Sequence, residues 1–243
     1  MTVRDYLGLF YIYCFIGWVW ESCYESVLNR KLLNRGFLTG PYIPIYGFGG
    51  IFIYILLGNL SLRFNTHIWL KIFLVSMIGA TLMEYLTSYV LEKIFNARWW
   101  DYSNYPLNIK GRVCLIASLF WGLVGVVAVR YLNPFLVHKI TKLNRDTLLI
   151  IVTIIATVFV MDIIVTINAI INLKNKLTYL MTETKGKVTE KVDIFSENTR
   201  HFLFSNPFVL RIIHSFPDLK FTSIKLQESY LKVYNKLKRK NNV

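Results

Sequence analysis

Four carboxylates interrupt long apolar stretches of this 243-residue sequence and are the residues best placed to do chemistry. They are Glu21, Glu25, Glu84 and Asp162. A charge near the centre of a bilayer costs at least about 2.5–3.5 kcal/mol, and no folding argument requires these acids there. We therefore interpret all four as candidate substrate- or ion-binding residues. They could coordinate a cation, relay protons, pair with loop arginines, or act as static partners between helices.

The stretches that hold these acids have the length and composition of membrane spans. A bilayer core needs about 20 apolar helical residues, and five regions qualify: 6–28, 42–60, 68–91, 113–137 and 147–172. Charged residues make up 17% of the chain, below the roughly 25% that is typical of soluble domains. The sequence thus predicts an all-α integral membrane protein, with a transmembrane domain at 1–172 and a basic, amphipathic helical tail at 173–243. That tail is expected in the cytoplasm or at the membrane interface.

Three of the acids fall at one predicted depth. Glu21, Glu84 and Asp162 each lie about 23 Å along their helix from the same side of the membrane, at about 1.5 Å per residue. Because the first, third and fifth spans run in the same direction, these side chains should share a plane. Glu25 follows Glu21 by four residues and therefore lies on the same helix face.

Charge predicts the orientation and the surroundings of the chain. The net charge is +14, which in an apolar protein favours an anionic membrane surface over nucleic acid as the partner. Lys and Arg are more numerous in the two loops after the first and third spans and in the tail than in the other loops. The positive-inside rule then predicts a multi-pass protein of the cell membrane with its N-terminus outside and its tail in the cytoplasm.

The first four spans read as two copies of one helical hairpin. Glycines and their neighbours recur 75 residues apart, and the recurring glycines are Gly36, Gly47 and Gly50 in the first copy and Gly111, Gly122 and Gly125 in the second. Glycines also recur in apolar helices simply because they allow close packing. Since both copies enter from one side, a duplication would give a parallel repeat, and sites in such proteins form between the halves.

Two loops on the predicted cytoplasmic side carry further candidates. Arg35, Arg98 and Arg112 could hold a phosphate or a lipid headgroup by charge-assisted hydrogen bonds. The loop motif residues beside them are Gly36, Gly40, Pro41, Trp99, Trp100, Asp101 and Tyr102. The plainer interpretation is that both loops are turns anchored at the headgroups.

Several function classes are excluded or unsupported by the sequence. It has no G-x-x-x-x-G-K-[ST] loop, so the chain is not itself an ATPase of that class. Three cysteines without C-x-x-C spacing and four scattered histidines indicate neither a disulfide scaffold nor a metal site. No catalytic motif and no cofactor motif are present, which favours a protein that is not an enzyme.

One set of residues resembles a known family. Glu21, the segment from Asn34 through Pro41, Glu84, the segment from Trp99 to Ser103, and Trp121 with Gly122 are similar to the bacterial membrane family catalogued as putative ABC-transporter type IV, the CmpB-like permeases. The likeness covers roughly residues 6–135. It implies a multi-pass permease that works with a separate ATPase subunit, and five spans would be few for a permease half, so a homodimer or another partner is expected.

Three functions therefore compete. The first is transport, with the acids binding a cation or amine between the two hairpins. The second is an intramembrane enzyme acting on a lipid or polyprenyl phosphate, with a glutamate as general acid or base. The third is a scaffold whose basic tail recruits a partner. Of the three, the sequence favours transport.

Overall fold

The computed structural model describes residues 1–58, 66–183, 206–216, 219–224, 226–228, 230–231 and 235, and within these the chain is mostly helical. The α-helices are α1 Val3–Asn29, α2 Pro44–Leu57, α3 Thr66–Phe95, α4 Leu115–Val127, α5 Asn133–Lys142, α6 Arg145–Glu183 and α7 Pro207–Ser215. The strands are β1 Ala97–Arg98, β2 Asn108–Ile109, β3 Val113–Cys114 and β4 Lys220–Phe221. Residues 59–60 of the second predicted span and residues 184–205 of the predicted tail lie outside the described residues.

Three helical segments are long and apolar enough to cross a membrane. They are His67–Phe95, Leu115–Lys142 and Arg145–Thr178, while Pro44–Leu57 is a shorter apolar helix. Helix α1 has 27 residues and is therefore about 40 Å long, but tyrosines, tryptophans and Glu21 lower its mean hydropathy. The prediction of a helical membrane protein is confirmed in this form, and five spans remain a prediction.

The helix that begins at Leu115 changes its winding before it ends. A five-residue π-helical turn, Ala128–Leu132, joins α4 to α5. Pro134 lies in the first turn of α5 and has no backbone N–H to donate. This missing hydrogen bond accounts for the local change of winding, and the helix then continues to Lys142.

Loops and tail gather at one end of the helices, which we call the loop end. Strand β1 pairs antiparallel with β4, and β2 pairs antiparallel with β3. An apolar cluster joins the C-terminal end of α3, the loop residue Trp99, the C-terminal half of α6 and the buried face of α7. Helix α7 therefore packs its apolar side chains Val209, Ile212 and Ile213 against the rest of the chain.

The predicted domain division at 172/173 falls inside α6. This helix has 39 residues and continues without a break past Asn172 to Glu183. Leu173 and Leu177, on the far side of the division, are buried in the same cluster as α7. The described part of the tail is thus continuous with the transmembrane helices in its packing.

Candidate functional site

The structure brings two of the four predicted acids together. Glu21 of α1 accepts a hydrogen bond from the hydroxyl of Tyr46, with Oε1 and the hydroxyl oxygen 2.6 Å apart. Tyr46, near the start of α2, also interacts electrostatically with Glu84 of α3. Glu21 and Glu84 interact electrostatically with each other as well. We call Glu21 and Glu84 the acid pair.

Glu84 has one carboxylate oxygen that lacks a hydrogen bond. Its Oε1 accepts from the Tyr102 hydroxyl at 3.0 Å, but its Oε2 is buried and has no hydrogen-bond partner among the described residues. The residue as a whole is 7% exposed. The indole of Trp121 also lies beside this carboxylate, without meeting normal hydrogen-bond geometry. Because an unpaired buried acceptor carries a desolvation cost, a proton or a cation at Oε2 would stabilise this site.

The two remaining acids lie elsewhere. Glu25 forms an ion pair with Arg35, with 3.5 Å between Oε1 and the nearest guanidinium nitrogen, and accepts a hydrogen bond from Asn29. Asp162 of α6 accepts backbone N–H groups from Thr39 and Gly40 at 2.9 and 2.7 Å. Asp162 thereby holds the loop after α1 in place. The structure does not join Glu25 or Asp162 to the acid pair, so a ligand-binding role for them stays a prediction.

Gly40 permits this close approach. A Cβ atom at Gly40 would lie 2.9 Å from Oδ2 of Asp162, closer than such atoms are normally found. The neighbouring Pro41 belongs to the same loop, which then leads into α2 at Pro44. The Gly-Pro sequence at 40–41 thus has a local structural role beside Asp162.

The three predicted anion-binding arginines are bound to groups of the chain itself. Arg98 and Arg112 each form an ion pair with Glu92, at 2.7 Å in both cases. Arg35 pairs with Glu25, donates to the Ser215 carbonyl oxygen at 2.6 Å and lies over the Phe216 ring. An external phosphate would compete with these contacts. Anion binding by the arginines therefore remains a prediction that the geometry does not favour.

The loop from Trp99 to Tyr102 delivers a side chain to the acid pair. Trp99 is buried in the apolar cluster at the loop end, and Trp100 donates its indole N–H to the Arg112 carbonyl oxygen at 3.0 Å. Asp101 is paired with Lys220 of β4 at 2.5 Å. Tyr102, which follows directly, donates its backbone N–H to the Gly111 carbonyl oxygen and its hydroxyl to Glu84.

Gly111 is required by the backbone of this loop. Its φ is +68°, a left-handed conformation that L side chains rarely adopt. A Cβ atom there would lie 2.4 Å from oxygen atoms of Asp101 and Ser103. The turn between β2 and β3 therefore closes tightly against the segment that carries Tyr102.

Tyr46, Trp121 and Tyr102 complete the surroundings of the acid pair, but sequence reasoning did not assign them there. Tyr46 and Trp121 occupy equivalent positions of the predicted repeat, 75 residues apart, and their ring centroids lie 5.4 Å from each other in an edge-to-face arrangement. Their equivalent places next to the recurring glycines Gly47 and Gly122 were the signal that the sequence offered. Tyr102 had no such signal, since the course of its loop depends on contacts made after folding.

The helix-packing glycines make parallel contacts in the two hairpins. Positions for a Cβ at Gly47 and Gly50 fall against Phe10 and Tyr13 of α1, and the corresponding contacts of Gly122 and Gly125 are Phe73 and Ser76 of α3. Phe73 and Ser76 follow Phe10 and Tyr13 by 63 positions, which is also the separation of Glu21 and Glu84.

The Asp101 side chain gives the loop a pH dependence that can be measured. Burial raises the pKa of Asp101, but hydrogen bonds from Lys220 and Ser103 outweigh burial and lower its pKa to about 2. Because this pKa is below the unfolded value, ionised Asp101 contributes stability above about pH 4 that is lost as the pH falls toward 2. We expect the melting temperature of the wild type to exceed that of Asp101→Asn at pH 7, with the difference shrinking between pH 4 and pH 2.

The matched control for this prediction is Asp146→Asn at the exposed start of α6. Its melting temperature should stay close to that of the wild type at neutral pH. A difference between wild type and Asp101→Asn that is unchanged from pH 7 to pH 2 would contradict the assignment.

The long apolar helices define a helical membrane protein with several candidate spans. Over residues 8–167 the chain matches the family described as "Putative ABC-transporter type IV", and it belongs to that family. The family expected from the sequence is therefore confirmed. No curated protein and no solved structure matches the chain.

Proposed function

We propose that this protein is a permease-like transport subunit in which the acid pair binds a transported cation or amine between two hairpins. The observation that supports the proposal is the buried Glu84 carboxylate, whose Oε2 has no hydrogen-bond partner in the described part of the chain, and its electrostatic interaction with Glu21. Two carboxylates near each other in a low-dielectric interior repel, and a cation or proton between them relieves this repulsion. Membership of a transporter family agrees with this function.

The two hairpins are, in this proposal, a parallel repeat. The matching contacts of Gly47 with Phe10 and of Gly122 with Phe73 support this duplication. The glycines are 75 positions apart and their phenylalanine partners 63 positions apart, and the second packing glycine of each hairpin and its partner repeat at the same two separations. Parallel repeats are related by an axis along the membrane normal. Equivalent residues that contact each other lie near such an axis, and the rings of Tyr46 and Trp121 have centroids 5.4 Å apart.

The proposed topology has five spans with the loop end in the cytoplasm. Helix α1 is long enough to be a span, and α2 would complete the first hairpin. The loops after α1 and α3 and the described part of the tail, which together carry many of the Lys and Arg residues, lie at the loop end. By the positive-inside rule this end is cytoplasmic and the N-terminus is outside.

The proposal requires partners. The sequence lacks a P-loop, so an ATPase that drives transport would be a separate subunit bound to the cytoplasmic face. A second copy of the chain is the simplest way to enlarge the helical assembly, and cyclic dimers are the commonest oligomers. The bilayer itself contacts the many exposed apolar side chains of α3, α4 and α6.

The test uses the purified full-length chain in liposomes. Inorganic cations, organic amines and protons are screened one at a time by ion-sensitive dyes and electrical recording, with protein-free liposomes as the reference. We expect selective movement of one cationic class, or selective binding of that class where an ATPase is needed for movement. If no cation is moved and no cation is bound, the proposal is overturned.

The lipid-enzyme alternative has less support. It needs loop arginines that hold a phosphate, whereas Arg98 and Arg112 are paired with Glu92 and Arg35 with Glu25. Its signature would be a lipid product that is missing from the extract of a deletion strain. Finding that product with no cation binding would favour the enzyme.

A further inference from the structure

An unbroken series of contacts links the tail to the acid pair. Lys220 of β4 lies 2.5 Å from Oδ2 of Asp101, and Tyr102, the next residue, donates its hydroxyl to Glu84. Asp101 also accepts the backbone N–H of Ser103 at 2.9 Å. Because Asp101 directly precedes Tyr102 and accepts hydrogen bonds from Ser103, which directly follows it, the position of Asp101 constrains the position of the tyrosine.

The tail is held to this loop by more than one ion pair. Strand β4 pairs with β1, which immediately precedes Trp99. Thr222 donates its backbone N–H to the Asn96 carbonyl oxygen at 2.9 Å, and Phe216 packs edge-to-face on Trp99. The contacts therefore combine backbone hydrogen bonds, aromatic packing and charge, so that one side chain can be changed without releasing the whole segment.

The same tail also holds the other loop. Arg211 of α7 donates to the carbonyl oxygens of Gly36 and Phe37 at 2.8 and 2.9 Å. Ser215 donates its hydroxyl to the Asn34 carbonyl oxygen, and Arg35 donates back to the Ser215 carbonyl oxygen. Helix α7 thus binds the loop after α1, while β4 binds the loop after α3.

We infer that Lys220 and Asp101 are positioning residues that hold Tyr102 over Glu84 and thereby close the acid pair toward the loop end. The transport role of this closure rests on the proposed function, but the closure itself is a property of the contacts described above. Opening the site at this end requires the tail to release at least the loop that carries Tyr102. The tail would in this way control access to the acid pair.

Native Cys114 provides a reporter for the closure. It is 2% exposed, ends strand β3 directly before α4, and interacts electrostatically with Tyr102. The other two cysteines, Cys14 and Cys23, are replaced by alanine to leave Cys114 as the single thiol. The full-length protein in lipid nanodiscs, which expose both faces, is then treated with a charged maleimide, and the labelling rate of Cys114 is measured.

We expect slow labelling in this background and labelling at least about tenfold faster in Lys220→Glu, because two carboxylates would then face each other. The Lys220 side chain is 54% exposed, and the β1–β4 pairing and the packing of Phe216 on Trp99 remain, so the variant should stay folded, which its melting curve checks. Lys142→Glu, an exposed lysine at the end of α5, is the matched control and should label slowly.

Lys220→Met keeps the length of the side chain and removes only its charge, so it covers the case in which Lys220→Glu fails to fold. It is expected to label at an intermediate rate. Equal rates in the background, Lys220→Glu and Lys220→Met proteins would overturn the inference and leave the proposed function untouched. Faster labelling of the Lys220 variants together with no cation binding by the wild type would support the closure and overturn the proposed function.

Discussion

Replacing Glu84 with glutamine is expected to lower cation binding, or the flux that depends on it, by about 100-fold or more. Glutamine keeps the shape of the side chain and still accepts the Tyr102 hydroxyl through its amide oxygen. It removes the negative charge from a residue that is 7% exposed. The charge pair concerned is the one that Glu84 forms with the bound cation. Removing one partner of a buried charge pair costs about 3–5 kcal/mol, and each 1.4 kcal/mol corresponds to a tenfold change in affinity.

The measurement is a titration of the purified variant with the cation that binds the wild type. Glu21→Gln should weaken binding in the same direction, since Glu21 shares Tyr46 with Glu84. Asp146→Asn, an exposed acid at the start of α6, is the control and should bind like the wild type. Unchanged affinity in a folded Glu84→Gln protein would remove the acid pair from the binding site.

The second large effect is expected where the hairpin helices approach each other most closely. Alanine at Gly50 would place its Cβ atom 2.3 Å from the ring of Tyr13, and alanine at Gly125 would place it 2.1 Å from the Ser76 hydroxyl oxygen. The Gly125 Cβ would also be 2.2 Å from the Ser76 Cβ, which cannot rotate away. We expect each substitution to destabilise the protein by about 1–3 kcal/mol, the usual cost of overpacking.

Gly49 on α2 offers a control that differs by one position. A Cβ atom there has nothing within 4 Å, so Gly49→Ala should be neutral or stabilising by up to about 1 kcal/mol through helix propensity. Thermal unfolding of all three variants in one detergent makes the comparison. Similar melting temperatures for Gly49→Ala and Gly50→Ala would show that α1 and α2 are not packed as described.

The positions of helices and of packing glycines could be predicted because they follow from local properties of the chain. The predicted spans at 68–91 and 147–172 lie inside α3 and α6, and apolar length alone identified them. Gly122 and Gly125 were assigned to close helix packing, and both lie against α3. The first helix is the exception in composition, since its aromatic and acidic residues lower the mean hydropathy of a segment that is nonetheless 27 residues long.

The candidate site could be predicted only in part. Depth along a helix follows from residue number, so the levels of Glu21, Glu84 and Asp162 could be compared by counting residues along their helices. Which acids meet depends on the rotation of each helix about its axis and on the neighbours it packs against. Asp162 faces the backbone of Thr39 and Gly40, whereas Glu21 accepts a hydrogen bond from Tyr46 and interacts electrostatically with Glu84.

By itself, the sequence determined that this is a helical membrane protein of one family, with acids placed within long apolar stretches, because composition, length and motif are properties of the linear chain. The tertiary structure decided that Glu21 and Glu84 interact electrostatically, that Arg98 and Arg112 share Glu92, and that Lys220 reaches Asp101. These contacts join residues far apart in sequence or depend on the path of a loop. Their geometry is set by packing between elements, which no local pattern records.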